Sequence, residues 1–209
     1  MQKILTKKKK MKKLFTILTV VALATTTSFG QTQWGADLGL NFSNISGDDA
    51  ADETSSRMGI RLGISADITL SDAVSLKTGA LYSVKGVEII MTDGYDNYNV
   101  SVSYNYLEIP LNLSFNVSDQ FSLLVGPYIG YVVGSSINID DSAYEAAYAT
   151  EDLVADMDLG INLGAGLSVS DAISINAGYQ MGLTSLDPNG DADIFNSNIL
   201  IGMTYSFGG

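Results

Sequence analysis

The chain of 209 residues contains no cysteine and no histidine. Without cysteine there is no disulfide staple and no thiolate metal site. Without histidine the commonest general base at neutral pH is missing, which closes the usual pairing of a nucleophile with imidazole. A Ser–Lys or paired-carboxylate site is what would remain for an enzyme. Basic residues are also scarce: 11 Lys and Arg stand against 23 Asp and Glu. A chain so acidic lacks the basic patch that nucleic-acid binding requires. After residue 24 there is no apolar run of helix-spanning length, so any membrane crossing must use strands.

Seven of the basic residues lie at the start, from Lys3 to Lys13. They lead into the apolar run Leu14 to Ala24, LFTILTVVALA, followed by TTTSFG and Gln31. A basic region, a short apolar stretch and small residues (Ser28, Gly30) before a cut make a secretory signal peptide of residues 1–30. Met11 by itself begins an ordinary signal, MKKLFTILTV. The apolar run is about half the ~20 residues of a spanning helix, which argues against an N-terminal anchor. Cleavage leaves 31–209 as one domain of 179 residues. It keeps Arg57, Arg61, Lys77 and Lys85 against all 23 acids, a net charge of −19.

What the mature chain has in abundance is alternation with the strand period of two. Trp34, Ala36, Leu38, Leu40 and Phe42 share one face, while Gly35, Asp37, Gly39, Asn41 and Ser43 share the other. The pattern recurs over about 58–70, 74–84, 99–117, 121–133, 159–169, 173–183 and 199–207, giving eight strands. In the fourth the apolar positions pass from even (Val100, Val102, Tyr104, Tyr106) to odd (Leu107, Ile109, Leu111), as a β-bulge near Asn105 would cause. The strands match the roughly 9–11 residues needed to cross a bilayer, longer than the globular average. A soluble lipocalin-like barrel also alternates, but its outer polar face carries Lys and Glu. Here the polar face is mostly Gly, Ser, Asn and Thr, which suits the inside of a narrow barrel wrapped by lipid. The expected fold is all-β, an eight-stranded antiparallel up-and-down transmembrane barrel in the outer membrane.

The connections alternate in length. Leu70-Ser71-Asp72-Ala73-Val74, Val117-Ser118-Asp119-Gln120-Phe121 and Val169-Ser170-Asp171-Ala172-Ile173 are near repeats. Matching faces across each turn demands an odd loop, most simply three residues, with the Asp capping the turn. The other four, about 44–56, 89–98, 135–156 and 185–195, are long and carry fifteen acids and no base. Short periplasmic turns and long outer loops are the pattern of outer-membrane barrels, and they place both termini in the periplasm. Trp34, Phe115, Phe121, Tyr205 and Phe207 would form one interfacial girdle, and Phe42, Tyr82, Tyr104, Tyr131 and Tyr179 the other. In the third long loop, Ser142-Ala143-Tyr144-Glu145 reads as a capping box for a short helix.

Three stretches resemble a known family: Tyr106-Leu107-Glu108-Ile109-Pro110-Leu111, Gly126-Pro127-Tyr128-Ile129-Gly130 and Asp158 to Gly166, DLGINLGAG. They are similar to the porin-family, PorT-like outer-membrane barrel domain of Gram-negative bacteria, a small barrel of the OmpA/OmpX type. The resemblance implies the fold and the compartment and little chemistry, and it keeps a role in secretion machinery open. The terminal Gly202-Met203-Thr204-Tyr205-Ser206-Phe207 resembles the signal read by the barrel assembly machinery, with Leu200 and the trailing Gly208-Gly209 as departures. The expected partners are that machinery, outer-membrane lipid with lipopolysaccharide, and an unidentified ligand at the acidic loops.

Eight charges fall on inward positions: Asp37, Arg57, Arg61, Asp67, Lys77, Lys85, Glu108 and Asp158. With Asp72 centring its turn, Asp67 falls opposite Lys77, and Glu108 is placed to meet Arg61 across the interior. Such a network either plugs the barrel or gates a narrow ion path; eight strands leave an interior that side chains just fill, which favours the plug. No cofactor and no metal are expected. Asp187 to Asp193 has oxygen ligands at alternate positions, as calcium prefers, but it lacks the closing glutamate of an EF-hand. The sequence therefore points to a non-enzymatic barrel with a structural or surface-interaction role, the alternative being a narrow pore for ions or small solutes.

Overall fold

The computed structural model describes residues 32–51, 53–93, 96–140, 146–149 and 154–207. The signal segment 1–30 lies outside the described residues. The strands are β1 (Thr32–Ser46), β2 (Thr54–Ser71), β3 (Val74–Asp93), β4 (Asp96–Asn116), β5 (Phe121–Asp140), β6 (Ala146–Ala149), β7 (Met157–Ser168), β8 (Ile173–Gly182) and β9 (Phe195–Phe207). Every pairing is antiparallel between sequence neighbours, β1 meets β9, and β4–β5 completes the ring. The eight long strands thus form a closed barrel, which leaves no edge in the lipid zone. The short β6 stands outside the ring and pairs with β5 at Ser136–Ile139, beyond the reach of β7.

Register follows from the turns. Asn116 pairs with Ser122 and Ser168 with Ser174, so Asp119 and Asp171 centre three-residue loops. Asp67↔Lys77 centres the first turn on Asp72, with an irregularity at Thr69/Ser71. The caps, however, are serines and not aspartates. Ser118 Oγ accepts from the N–H of Gln120 and Phe121, and Ser170 Oγ from those of Ala172 and Ile173. The serine opens each loop, so its hydroxyl is well placed for N–H groups two and three residues on; the central Asp is turned to solvent.

The outward face is a belt of exposed apolar side chains. Leu38, Ile64, Leu163 and Ile201 are each half exposed or more, an arrangement water would penalise and lipid rewards. Trp34, Phe115, Phe121, Tyr205 and Phe207 ring the turn end. At the other end Tyr82 and Tyr179 face out, but Tyr104 is buried inside the barrel rather than in a girdle.

Tyr104 belongs to the main departure from expectation. β3, β4 and β5 run for 20, 21 and 20 residues, about twice the bilayer-crossing length. Much of what reads as the second and third long loops is therefore strand that projects past the membrane. There the wall turns inside out. Val87, Val100, Val102, Tyr104 and Tyr106 pack inward with Val154 and Leu186 as a small apolar core, while Glu88 and Ser101 share the outer face. β4 keeps even residues inward throughout, from Val100 through Glu108 to Ser114, and its register with β3 is unbroken there. The switch of apolar parity near Asn105 is thus a change of solvent, from lipid to water, and not a bulge in β4. The bulge lies across the ladder: Asn105↔Gly134 is followed by Tyr106↔Val132, which leaves Val133 as the extra residue on β5. It turns Ile137 and Ile139 inward, where they pack on the same core. The expected helix after Ser142 is also overturned. Ser142–Glu145 lie outside the described residues, but Ala146–Ala149 are strand, because the extended β5 offers them a ladder to complete.

Candidate functional site

The site is a layer of polar side chains that crosses the lumen about two-thirds of the way from the turns. Lys85 is its centre. It projects from β3 and is fully buried. Its Nζ lies 3.1 Å from Glu108 Oε2 and 3.3 Å from Asp158 Oδ2. It also stands 4.3 Å from the ring centroid of Tyr128 and 5.2 Å from that of Tyr106, within cation–π range. Tyr128 OH donates to Asp158 Oδ2 at 3.0 Å, and Asn196 Nδ2 donates to the same oxygen at 2.8 Å. Glu108 Oε1 accepts from Gln180 Nε2 at 2.9 Å and from Arg61 at 3.4 Å. Gln180 Oε1 accepts from Asn198, which also donates to Asn41 Oδ1; Asn41 in turn donates to Ser83 Oγ.

Each of the eight ring strands contributes: Asn41, Arg61, Lys85, Glu108, Tyr128, Asp158, Gln180 and Asn198 come from β1, β2, β3, β4, β5, β7, β8 and β9 in turn. The layer carries two cations and two carboxylates and is electrically balanced. In a buried setting such charges persist only when paired and hydrogen-bonded, and here both carboxylates have several partners. The apolar core around Val87, Val102 and Tyr106 lies on its loop side. On its turn side the lumen is hollow. A polar cavity of about 1010 Å³ runs from the turn residues up to Arg61, Leu81 and Gln180.

The eight inward charges expected from parity divide into groups. Arg61, Lys85, Glu108 and Asp158 meet in the layer. Asp67 and Lys77 are register partners at the turn end, 3.5 Å apart and each about a third exposed. Asp37 accepts from Thr204 Oγ1 at 2.6 Å, and its Oδ2 has no partner among the described residues. Arg57 does not reach the lumen. A register shift between Ser56 and Arg61 turns it, and its Nε donates to Ser101 Oγ at 3.1 Å on the outer, watery face of the projection.

Parity alone could have found Asn41, Gln180, Asn196 and Asn198, since all sit on inward positions. Tyr106 could not be found that way, because an aromatic at a mid-wall position reads as lipid-facing. Tyr128 had a signal of another kind: it stands between Gly126 and Gly130 and opposite Gly160, a large residue ringed by small ones.

The family follows from the whole chain. A model of the outer membrane protein beta-barrel domain matches residues 26–187. The chain belongs to that family. Its compartment is therefore the outer membrane, and the closed eight-strand ring is the family's barrel. Among solved structures, Neisserial surface protein A is similar in fold: 13% identical, TM-score 0.50, with 85% of this chain and 99% of that one covered. The attachment invasion locus protein Ail of Yersinia pestis (14% identical, TM-score 0.46, 85% and 99% covered) is another match. So is the N-terminal β-barrel domain of Pseudomonas aeruginosa OprF (13%, 0.39, 85% and 100%). No curated protein sequence matches the chain. The three stretches that carry the family resemblance in the sequence hold Tyr106, Glu108, Tyr128 and Asp158, four members of the buried layer.

Proposed function

We propose that this barrel is a sealed, non-enzymatic element of the outer membrane, with a structural or surface-interaction role carried by its loop end. One observation supports the reading above others: the Lys85–Glu108–Asp158 layer, roofed by the apolar core, fills the lumen with fully buried side chains. An ion would have to displace paired charges and then cross an apolar plug. The loop end faces outward in this reading, and its excess of acids makes it a surface for cationic or cation-bridged contacts. The nucleophile chemistry familiar from small barrels has no imidazole to draw on.

The narrow-pore reading draws on one feature, the hollow turn-side half of the lumen, which brings water as far as Arg61. Single-channel recording on the refolded mature chain in planar bilayers separates the two. The sealed reading expects no resolved steps. Steady conductance that changes when Arg61 or Glu108 is neutralised would replace it with the pore.

A further inference from the structure

We propose that the hollow turn-side half of the lumen is a binding chamber for a slender organic cation bearing primary ammonium groups, with Asp37 as its anchor. The inference goes beyond the sealed-barrel reading and does not depend on it, since the chamber has its own mouth.

The chamber has the size of a ligand site. Its volume of about 1010 Å³ is at the upper end of the range for small-molecule pockets. Its walls are polar, built from residues such as Asn112, Asn162, Asn176 and Thr204. Its shape is set by the eight-strand ring, whose bore is about the width of the side chains that fill it. A linear chain therefore fits along the axis better than a broad, fused-ring molecule.

Charge decides the sign of the occupant. Five acids line the chamber (Asp37, Asp67, Asp72, Asp119 and Asp171) against two bases, Arg61 and Lys77. Both bases are already engaged: Arg61 with Glu108 in the ceiling and Lys77 with Asp67 on the wall. That leaves Asp37 inside and one aspartate at each of the three turns around the mouth. The turn aspartates are not needed as caps, because Ser118 and Ser170 serve there. A low-dielectric wall with one sign of free charge concentrates ions of the opposite sign. Asp37 is the deepest free carboxylate. Its Oδ1 is fixed by Thr204 while Oδ2, already removed from water, has no protein partner. A carboxylate oxygen in that state is a strong acceptor for an N–H donor. An ammonium group reaching Asp37, with further ammonium groups at the mouth aspartates, would satisfy both ends.

The test uses the full mature chain refolded in zwitterionic detergent, with spermidine as the probe, titrated calorimetrically at constant ionic strength. The expected result is saturable binding of one spermidine per barrel, weakened roughly tenfold or more by Asp37→Asn, a near-isosteric change that removes the charge. Heat-modifiable gel mobility shows that the variant is folded. A control variant, D48N/D191N/D193N, neutralises exposed loop-end acids and is expected to bind as the parent does. No saturable heat, or binding that D37N leaves intact, overturns the proposal. Binding abolished by the loop-end control also overturns it, by assigning the effect to surface counterions. A tetralysine peptide in parallel presents the same group on a polypeptide. If it binds and spermidine does not, the chamber is not a small-cation site.

Discussion

Tyr128 on β5 lies directly opposite Gly160 on β7, and a methyl group added at Gly160 would stand 2.5 Å from the ring carbon Cε1. The glycine thus makes room for the ring that covers Lys85 and donates to Asp158 two residues away. A side chain there also meets the carbonyl oxygen of Met181, so neither the ring nor the wall can yield cheaply. Gly160→Ala is expected to cost about 1–3 kcal/mol through overpacking. Urea unfolding in detergent, followed by the tryptophan signal, measures it. A loss near zero would mean the ring moves freely.

Lys85 serves two carboxylates. Lys85→Met keeps the stem and removes the charge, leaving Glu108 and Asp158 buried without their shared cation. Breaking a buried pair from one side costs about 3–5 kcal/mol. The triple variant K85M/E108Q/D158N removes all three charges together and is expected to recover most of that loss. Failure of the triple variant to recover would show that Lys85 acts through packing rather than charge.

The turn-end pair of Asp67 and Lys77 gives the contrasting case. Its two side chains are 34% and 29% exposed, so water screens the attraction. Lys77→Ala is expected to change stability by about 0–1 kcal/mol. The same unfolding series, run beside K85M, shows whether burial sets the size of the effect.

Asp187 organises the last long loop. Its carboxylate accepts the backbone N–H groups of Asn189, Asp191 and Ala192, while Gly190 takes the left-handed conformation at φ 73°. Those N–H bonds, led by Asn189, hold the Asp187 carboxyl below its ordinary 3.8. A lowered value means the ionised form is favoured by the folded loop. Loop order is therefore present above pH 3.8 and lost as pH falls through the lower, folded value. Amide exchange at Asn189, Asp191 and Ala192 is expected to quicken in that acid window, and Asp187→Ala to abolish the dependence. Unchanged protection in D187A would remove the carboxylate from the account.

The ring of strands was legible because lipid imposes a single rule on every wall residue over the crossing length. That rule stops at the membrane surface. Beyond it Tyr104 and Tyr106 obey the opposite rule, which is why they read as lipid-facing and are in fact core. The same boundary misplaced Arg57, whose position is set by a local register shift that no alternation records. Lys85, Glu108 and Asp158 were legible as inward charges. Their meeting was not, since β3, β4 and β7 come together across the lumen rather than along one ladder. The turn caps went to serine because reach is set by position in the loop, which composition alone does not show.

The buried layer also bears on how the barrel is made. Asn198 reaches Asn41 across 157 residues of sequence, and Lys85 reaches Asp158 across 73. None of these bonds is local, so they reward only a chain whose first and last strands have already met. A sheet that stops one strand short would hold Lys85 or Glu108 facing hydrocarbon without its partners, an expensive state. Insertion and closure are thereby tied into one all-or-none event, and half-built barrels are discouraged by the same charges that later seal the finished one.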